Sequence, residues 1–302
     1  MSLFGKIFRR TKAKPLAAWE TATTGKLLQP MQDTRRYLEN SDYQLPKDEE
    51  EDNRLNFQHY ALFHAIGNHY VAPLSPPLQT ILDVGTGTGI WANEMATLFP
   101  AAVVVGLDLS TSSFREPIPD NCLLRIGNVL TGLPFPDAFF SFTHQRLLVA
   151  GITVDNWPRV IHELVRVTRR NGWIELVETD HLMVNAGPAT AKMHELIEVI
   201  SKNLGFDGTV IHHLGDFLVQ EKLQGVEMQP IHIPVGEWGG RVGSMMKRDF
   251  LAATKGLKGR YSTSAGITGM EFDRMVNAMA EEWETYHSFC IFYAVYGKRG
   301  TV

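Results

Sequence analysis

The order of elements in this chain predicts an α/β fold, a doubly wound and mostly parallel sheet. Three observations carry that reading. Thr80-Ile81-Leu82-Asp83-Val84 is a short apolar run ended by glycine, the pattern of a buried parallel strand. Gly85-Thr86-Gly87-Thr88-Gly89 then opens a helix whose apolar positions are Ile90, Met95, Leu98 and Phe99, stopped by Pro100. Val103-Val104-Val105-Gly106-Leu107-Asp108 is a second buried strand, and its acid falls 19 residues after Gly89. Strand, glycine loop, helix, strand and acid make a nucleoside-binding half-sheet, with the acid placed to accept hydrogen bonds from ribose hydroxyls.

The remaining elements follow in order. Residues 1–29 read as a loosely ordered tail, with Lys6, Arg9, Arg10, Lys12 and Lys14 basic and no apolar core of a secretory signal. Residues 30–74 read as an N-terminal helical cap. In it the acids 48–52 suit a first turn, and Leu55, Leu62, Phe63, Ile66 and Tyr70 recur at helical spacing. Pro73, Pro76 and Pro77 break that helix. The main domain is 75–302. After Asp108, strands are expected at Leu123–Ile126, Phe139–Thr143 and Trp173–Glu178. A helix between the last two carries Trp157, Val160, Ile161, Leu164 and Val167 on one face, with Asn171-Gly172 as its cap. A helix over 189–204 comes next. Late strands at Val226–Val235 and Phe289–Gly297 complete a seven-stranded sheet, with a helical insertion at about 236–286 between them. Within it, Thr268-x-x-Glu271 is a capping box, and Phe272, Met275, Val276, Met279, Trp283 and Tyr286 form an apolar stripe suited to core packing or to a substrate wall.

Composition narrows the function. Hydrophobic content of 44% and charged content of 21% are ordinary globular values. A net charge of −4 gives no basic footprint for nucleic acid. No apolar run reaches the ~20 residues of a membrane span. Two cysteines, Cys122 and Cys290, without metal-type spacing, point to reduced thiols and a cytoplasmic protein. His162-Glu163 and His194-Glu195 lack the second histidine of H-E-x-x-H, and His212-His213 has no accompanying zinc pattern, so no metal is expected.

The glycine spacing selects the cofactor. A dinucleotide site wants G-x-G-x-x-G facing a pyrophosphate. Here the spacing is G-x-G-x-G, and Asp83 precedes it. A carboxylate beside the loop repels a pyrophosphate and suits an ammonium. S-adenosyl-L-methionine carries an ammonium, a sulfonium and a ribose, and leaves as S-adenosyl-L-homocysteine; it fits better than NAD.

The run Leu82–Trp91 with Asp108 resembles motif I and the ribose acid of class I S-adenosylmethionine-dependent methyltransferases, a Rossmann-like fold. Glu51-x-x-Arg54-Leu55-Asn56-x-Gln58-His59, His144-x-Arg146 and Gly236-Glu237-Trp238 further resemble the LaeA-type methyltransferases of fungal secondary metabolism. Asn56 departs from that subgroup's Asp, and Asn128 stands where many class I members hold the adenine amino group with an acid. The resemblance implies cofactor contacts from Asp83, Gly85, Thr86, Gly87, Gly89, Trp91, Asp108, Leu109, Asn128, Val129, His144 and Arg54. It also implies transfer of a methyl group to oxygen, nitrogen or sulfur of a small-molecule acceptor. The alternative is a cofactor-binding regulatory partner protein with little catalysis.

Three side chains are candidates for proton transfer. His144, at a strand's carboxyl end, is the first, against a structural or cofactor-contacting role; His59 in the cap is the second. Glu178 is the third, against a plain bond to a loop amide. Tyr60, Arg146 and Trp238 are candidate acceptor contacts. Arg54 and Arg146 suit either the cofactor carboxylate or nearby acids.

Overall fold

In this computed structural model the described residues are 45–110, 113–114 and 117–301, the side chain of His181 excepted, all within the unit Arg35–Val302. The tail over 1–29 and the start of the cap up to residue 44 lie outside the described residues. Five strands, β1 (Thr80–Val84), β2 (Val103–Asp108), β3 (Cys122–Ile126), β4 (Phe140–Arg146) and β5 (Thr168–Val184), pair in parallel, with crossover helices between β1 and β2 and between β4 and β5. β6 (Leu223–Pro234) and β7 (Phe289–Arg299) close the sheet antiparallel, giving the order β3-β2-β1-β4-β5-β7-β6. β1 pairs with both β2 and β4, so the chain reverses its winding there and leaves a crevice beyond the carboxyl ends of the strands.

Helix α1 is Glu49–Ile66, capped by Asp48 at its start and ended by Gly67 in the left-handed region (φ +77°). Tyr70 therefore lies beyond the helix. Its buried face also differs from the expected apolar stripe: Glu51, Asp52, Arg54 and His59 are buried with Ala61 and Leu62. These polar groups are paired within the protein, which permits their burial. Helix α2 (Ile90–Leu98) follows the glycine loop, and α3 (Trp157–Val167) buries the predicted stripe of Trp157, Val160, Ile161, Leu164 and Val167.

Asn171-Gly172 does not cap α3. The helix ends at Thr168 in extended conformation and runs straight into β5. The register passes from Phe140↔Thr168 to Phe142↔Trp173, so 169–172 bulge out of the strand, with Asn171 at φ +59° turning the bulge.

Beyond β5 come α4 (Pro188–Asn203) and the short α5 (Leu214–Gln220). Between β6 and β7 stand α6 (Gly240–Ala265) and α7 (Gly269–Thr285), joined at Gly266 (φ +66°). The Thr268–Glu271 box caps α7, and Phe272, Val276, Met279 and Trp283 bury its apolar face against α4 and α6, while Tyr286 is exposed. Cys122 and Cys290 are buried free thiols. Among the described residues no helix is long and apolar enough to cross a membrane.

Candidate active site

Two cavities meet above the crevice. The first, about 970 Å³ of empty space counted out to its mouth, lies over the ends of β1 and β4. Gly85, Gly87 and Gly89 hold φ of +72°, +60° and +80°, which bends the loop over β1 where other residues would be strained. A Cβ on Gly85 would come within 2.5 Å of the Leu148 side chain, so the loop and its neighbour leave no room for one.

Asp83 sits on the floor of this cavity, buried, and pairs in register with His144 on β4. Thr86 Oγ1 donates to its Oδ2 (2.6 Å) and His144 Nδ1 donates to its Oδ1 (2.8 Å). The His144 ring lies flat on Trp91, 3.8 Å between centroids, and Trp91 Nε1 donates to the His69 carbonyl (2.8 Å). With Nδ1 spent on Asp83, Nε2 of His144 has no hydrogen-bond partner among the described residues. His144 lines the first cavity and not the second.

Asp108, ending β2, accepts from the Gly87 amide (2.8 Å) and the Ser110 amide (3.3 Å), with Lys47 Nζ 3.7 Å away. Burial pushes its pKa up, against the pull of Lys47 and the loop amides. Beside it, the Asn128 side-chain oxygen accepts from the Leu130 amide (2.9 Å) and caps a single turn. Val129 in that turn is buried and Leu109 is exposed. Gly87, Gly89, Asp108, Leu109, Asn128 and Val129 line neither cavity; Asp108 lies behind the glycine loop, bonded to the Gly87 amide.

The cap helix α1 is tied across the glycine loop by polar bonds. Asn56 accepts from Thr88 Oγ1 (2.6 Å). Arg54 gives Nε and Nη2 to Glu51 (2.9 and 2.7 Å) and Nη1 to Asp249 of α6 (2.6 Å). Gln58 donates to the other Asp249 oxygen (2.9 Å). Arg54 thus lines the cavity with its charge matched by two carboxylates.

His59 is fully committed as well. Arg146 Nη2 donates to its Nδ1 (3.0 Å), because a guanidinium has only donors, so Nε2 carries the ring hydrogen and gives it to Glu94 (2.6 Å). Burial lowers the His59 pKa, opposed by Glu94. The structure therefore corrects the expectation of His59 as a base: both nitrogens are occupied. The same proton count bears on metal binding. His59, His69 and Glu94 place ligand atoms within 4.8 Å of one another. A cation on Nε2 would move the hydrogen to Nδ1, against the Arg146 N–H, so these residues do not suit one. Arg146 lines the first cavity; burial lowers its pKa, and Asp83, Glu175, Glu94 and Glu178 counter that.

Glu178, at β5, accepts from the amides of Leu148 (2.9 Å) and Val149 (3.2 Å). Burial raises its pKa to about 8. The loop it pins divides the two cavities: Leu148 faces the first, Val149 the second, and Ala150 both. The second cavity, about 1220 Å³ counted the same way, has mainly apolar walls from α6, α7 and the end of β5, and a more polar one from α4 (His194, Ile197, Glu198, Ser201, Lys202); it shares Leu45, Ala150, Phe250 and Ala253 with the first.

Tyr60 and Trp238 line neither cavity. Tyr60 is exposed on the outer side of α1. Trp238 stacks on His287 (4.9 Å) and donates Nε1 to the Val235 carbonyl (3.2 Å). Sequence reasoning missed Glu94, Asp249 and Glu175. Asp249 left a signal, a lone acid beside Met245, Met246 and Phe250, and is the only charged residue that α6 buries among the described residues. Glu175 left none; buried in β5, it accepts from the Val71 amide (2.8 Å) and anchors the linker entering β1.

Comparison with known proteins agrees with this geometry. Residues 81–172 match the family model described as a methyltransferase domain. The chain is 28% identical to the N-methyltransferase sirN of Leptosphaeria maculans over 87% of its length and 96% of that protein's. It is 24% identical to the N-methyltransferase gliN of Aspergillus fumigatus over 85% and 96%. The secondary metabolism regulator laeA of Coprinopsis cinerea is 34% identical over 46% of this chain and 36% of its own. The fold is similar to that of the YcgJ protein of Bacillus subtilis (TM-score 0.50, 16% identity, 81% of this chain and 100% of that one). A glycine loop flanked by two acids, a methyltransferase domain over residues 81–172 and relatives matched nearly end to end lead to one conclusion: the chain is a methyltransferase whose cofactor is S-adenosylmethionine, similar to methyltransferases of fungal secondary metabolism.

Proposed function

We propose that this enzyme methylates a nitrogen atom of a largely apolar small molecule, of the secondary-metabolite class, held in the second cavity. The observation that carries the reading is the shared wall, where Leu45, Ala150, Phe250 and Ala253 face both cavities. Nitrogen is favoured because relatives spanning most of the chain are named N-methyltransferases.

Bound in the first cavity, S-adenosylmethionine supplies an activated methyl group on a sulfonium. The chain's own residues bind and orient it. Asp83 has spent two of its ~4 acceptor sites on Thr86 and His144, and the rest suit an ammonium. Asp108 suits the ribose hydroxyls. Arg146, with one donor on His59, suits the carboxylate better than Arg54, whose donors go to Glu51 and Asp249. His144 fits a positioning role, holding Asp83 and packing Trp91, because it faces the first cavity alone. The apolar walls exclude water and fix the acceptor; such alignment is worth up to ~10 kcal/mol.

The test is incubation with methyl-13C cofactor and a panel of neutral heteroaromatics carrying a ring N–H, a hydroxyl or a thiol, with NMR identifying the labelled atom. Label on nitrogen supports the proposal. Label on oxygen or sulfur alone would replace it, and no transfer by a chain that still binds S-adenosylhomocysteine would favour the regulatory alternative.

A further inference from the structure

The second cavity has a direction. Helices α4 and α6 present one face each to it, His194, Ile197 and Ser201 on the first and Phe250, Leu257 and Tyr261 on the second. Two contacts fix how these faces align. Ser201 Oγ and Tyr261 Oη are 3.0 Å apart. At the other end, the amide and hydroxyl of Thr190 on α4 donate to Glu282 (2.8 and 2.7 Å), next to Trp283, whose ring meets Phe250 edge to face at 6.5 Å. The helices therefore run the same way, with residue 190 level with 250 and 201 level with 261. On that scale His194 is level with Thr254, about one helical turn, ~6 Å, beyond Phe250. Phe250 borders the cofactor cavity, so His194 stands near the end where the methyl group arrives.

His194 is partly buried, and among the described residues no hydrogen bond to its ring is found. Burial lowers its pKa, with Asp180 opposing, which favours the neutral ring. From Phe250 to Tyr261 the cavity follows α6 for 11 residues, ~16 Å. Lys202 at the rim is paired with Glu198 (2.6 Å) and lies 3.6 Å from Asp207, and Asp180 is paired with His212 (3.2 Å), so among the described lining residues no unpaired cation waits for an anionic group and the acids already have partners.

We propose that the second cavity takes an elongated, neutral, mainly apolar acceptor, and that a ring nitrogen of His194 accepts the N–H of its reacting end. This rests on the reading of that cavity as the acceptor site. The fixed length selects molecules of several rings or with an apolar tail, and His194 selects among them for a hydrogen-bond donor near the shared wall.

The experiment compares 2-phenylindole with 1-methyl-2-phenylindole, by fluorescence titration of the full chain saturated with S-adenosylhomocysteine. The wild type is expected to bind the N–H compound about fivefold more tightly, the worth of one neutral hydrogen bond. His194→Phe should abolish the preference while leaving S-adenosylhomocysteine affinity within about twofold. Leu257→Trp, which fills the cavity away from the shared wall, should weaken both compounds about tenfold or more. Equal binding of the two compounds by the wild type, or a preference that survives His194→Phe, overturns the assignment of His194. Unchanged binding in Leu257→Trp overturns the assignment of the cavity. A wild-type chain that fails to bind S-adenosylhomocysteine overturns the proposed function itself, and the inference with it.

Discussion

The two cavities are built by opposite means. The first is made of strand ends and a tight loop, and its charged groups are held by fixed polar bonds: Asp83 by His144 and Thr86, Arg54 by Asp249, and, behind the loop, Asp108 by the Gly87 amide. The second is made of helix faces whose side chains are mainly apolar. A charged ligand of fixed chemistry demands particular donors and acceptors at fixed places. An apolar one asks only for area and shape, which many side-chain sets provide. On the proposed reading, cofactor recognition sits on the rigid sheet, and acceptor recognition on helices where sequence changes cost less.

The two regions are joined at Arg54 and Asp249, the latter preceding the shared residue Phe250. Arg54→Met tests that joint and has the largest expected effect. It leaves buried carboxylates without their guanidinium, so stability should fall by about 3–5 kcal/mol in urea denaturation. Cofactor and acceptor-probe binding should weaken together. A variant as stable as wild type would separate the two regions.

Asp108→Ala should touch the first region alone. Calorimetry should show S-adenosylhomocysteine affinity reduced by about 2–3 kcal/mol, from lost bonds to a carboxylate, with 2-phenylindole binding unchanged. Equal losses on both ligands would mean that the cavities are not independent.

Glu178→Gln tests the partition, and its effect is read as a change in pH slope. The carboxyl group has a folded pKa of about 8 against 4.5 when unperturbed. Between these values the folded chain keeps a proton that the unfolded chain releases. Glu178 therefore contributes stability below pH 4.5 that is lost as pH rises towards 8, at a slope of at most about 1.4 kcal/mol per pH unit. Gln holds no such proton and keeps an oxygen for the Leu148 amide. Urea midpoints at pH 5 and pH 8 should therefore differ less in the variant; an unchanged pH slope would remove Glu178 from the account.

How much of this was legible in the sequence follows from the same contrast. The run Thr80–Trp91 and Asp108 could be read because glycine torsions and strand-end acids leave a fixed spacing. The capping box at Thr268 and the buried stripe of α3 were legible for the same local reason. The buried face of α1 was not, since Arg54 is paired with an acid 195 residues away and periodicity counts only apolar side chains. Nor was the bulge at Asn171, where Asn-Gly after a helix reads as a cap until the pairing of β5 with β4 is known. His59 looked like a base because its partners Glu94 and Arg146 lie on other elements. The second cavity was half visible: Trp283 and Met279 belonged to a stripe suited to core or substrate wall, and the structure puts them in the core and on the cavity wall.

The most direct measurement is a crystal structure of the chain with S-adenosylhomocysteine and 2-phenylindole together. The account predicts the homocysteine product against Asp83 and Asp108, the indole along α6, and the two separated only by the wall at Ala150 and Phe250. Product density in the second cavity, or an indole outside it, would contradict the division of the site.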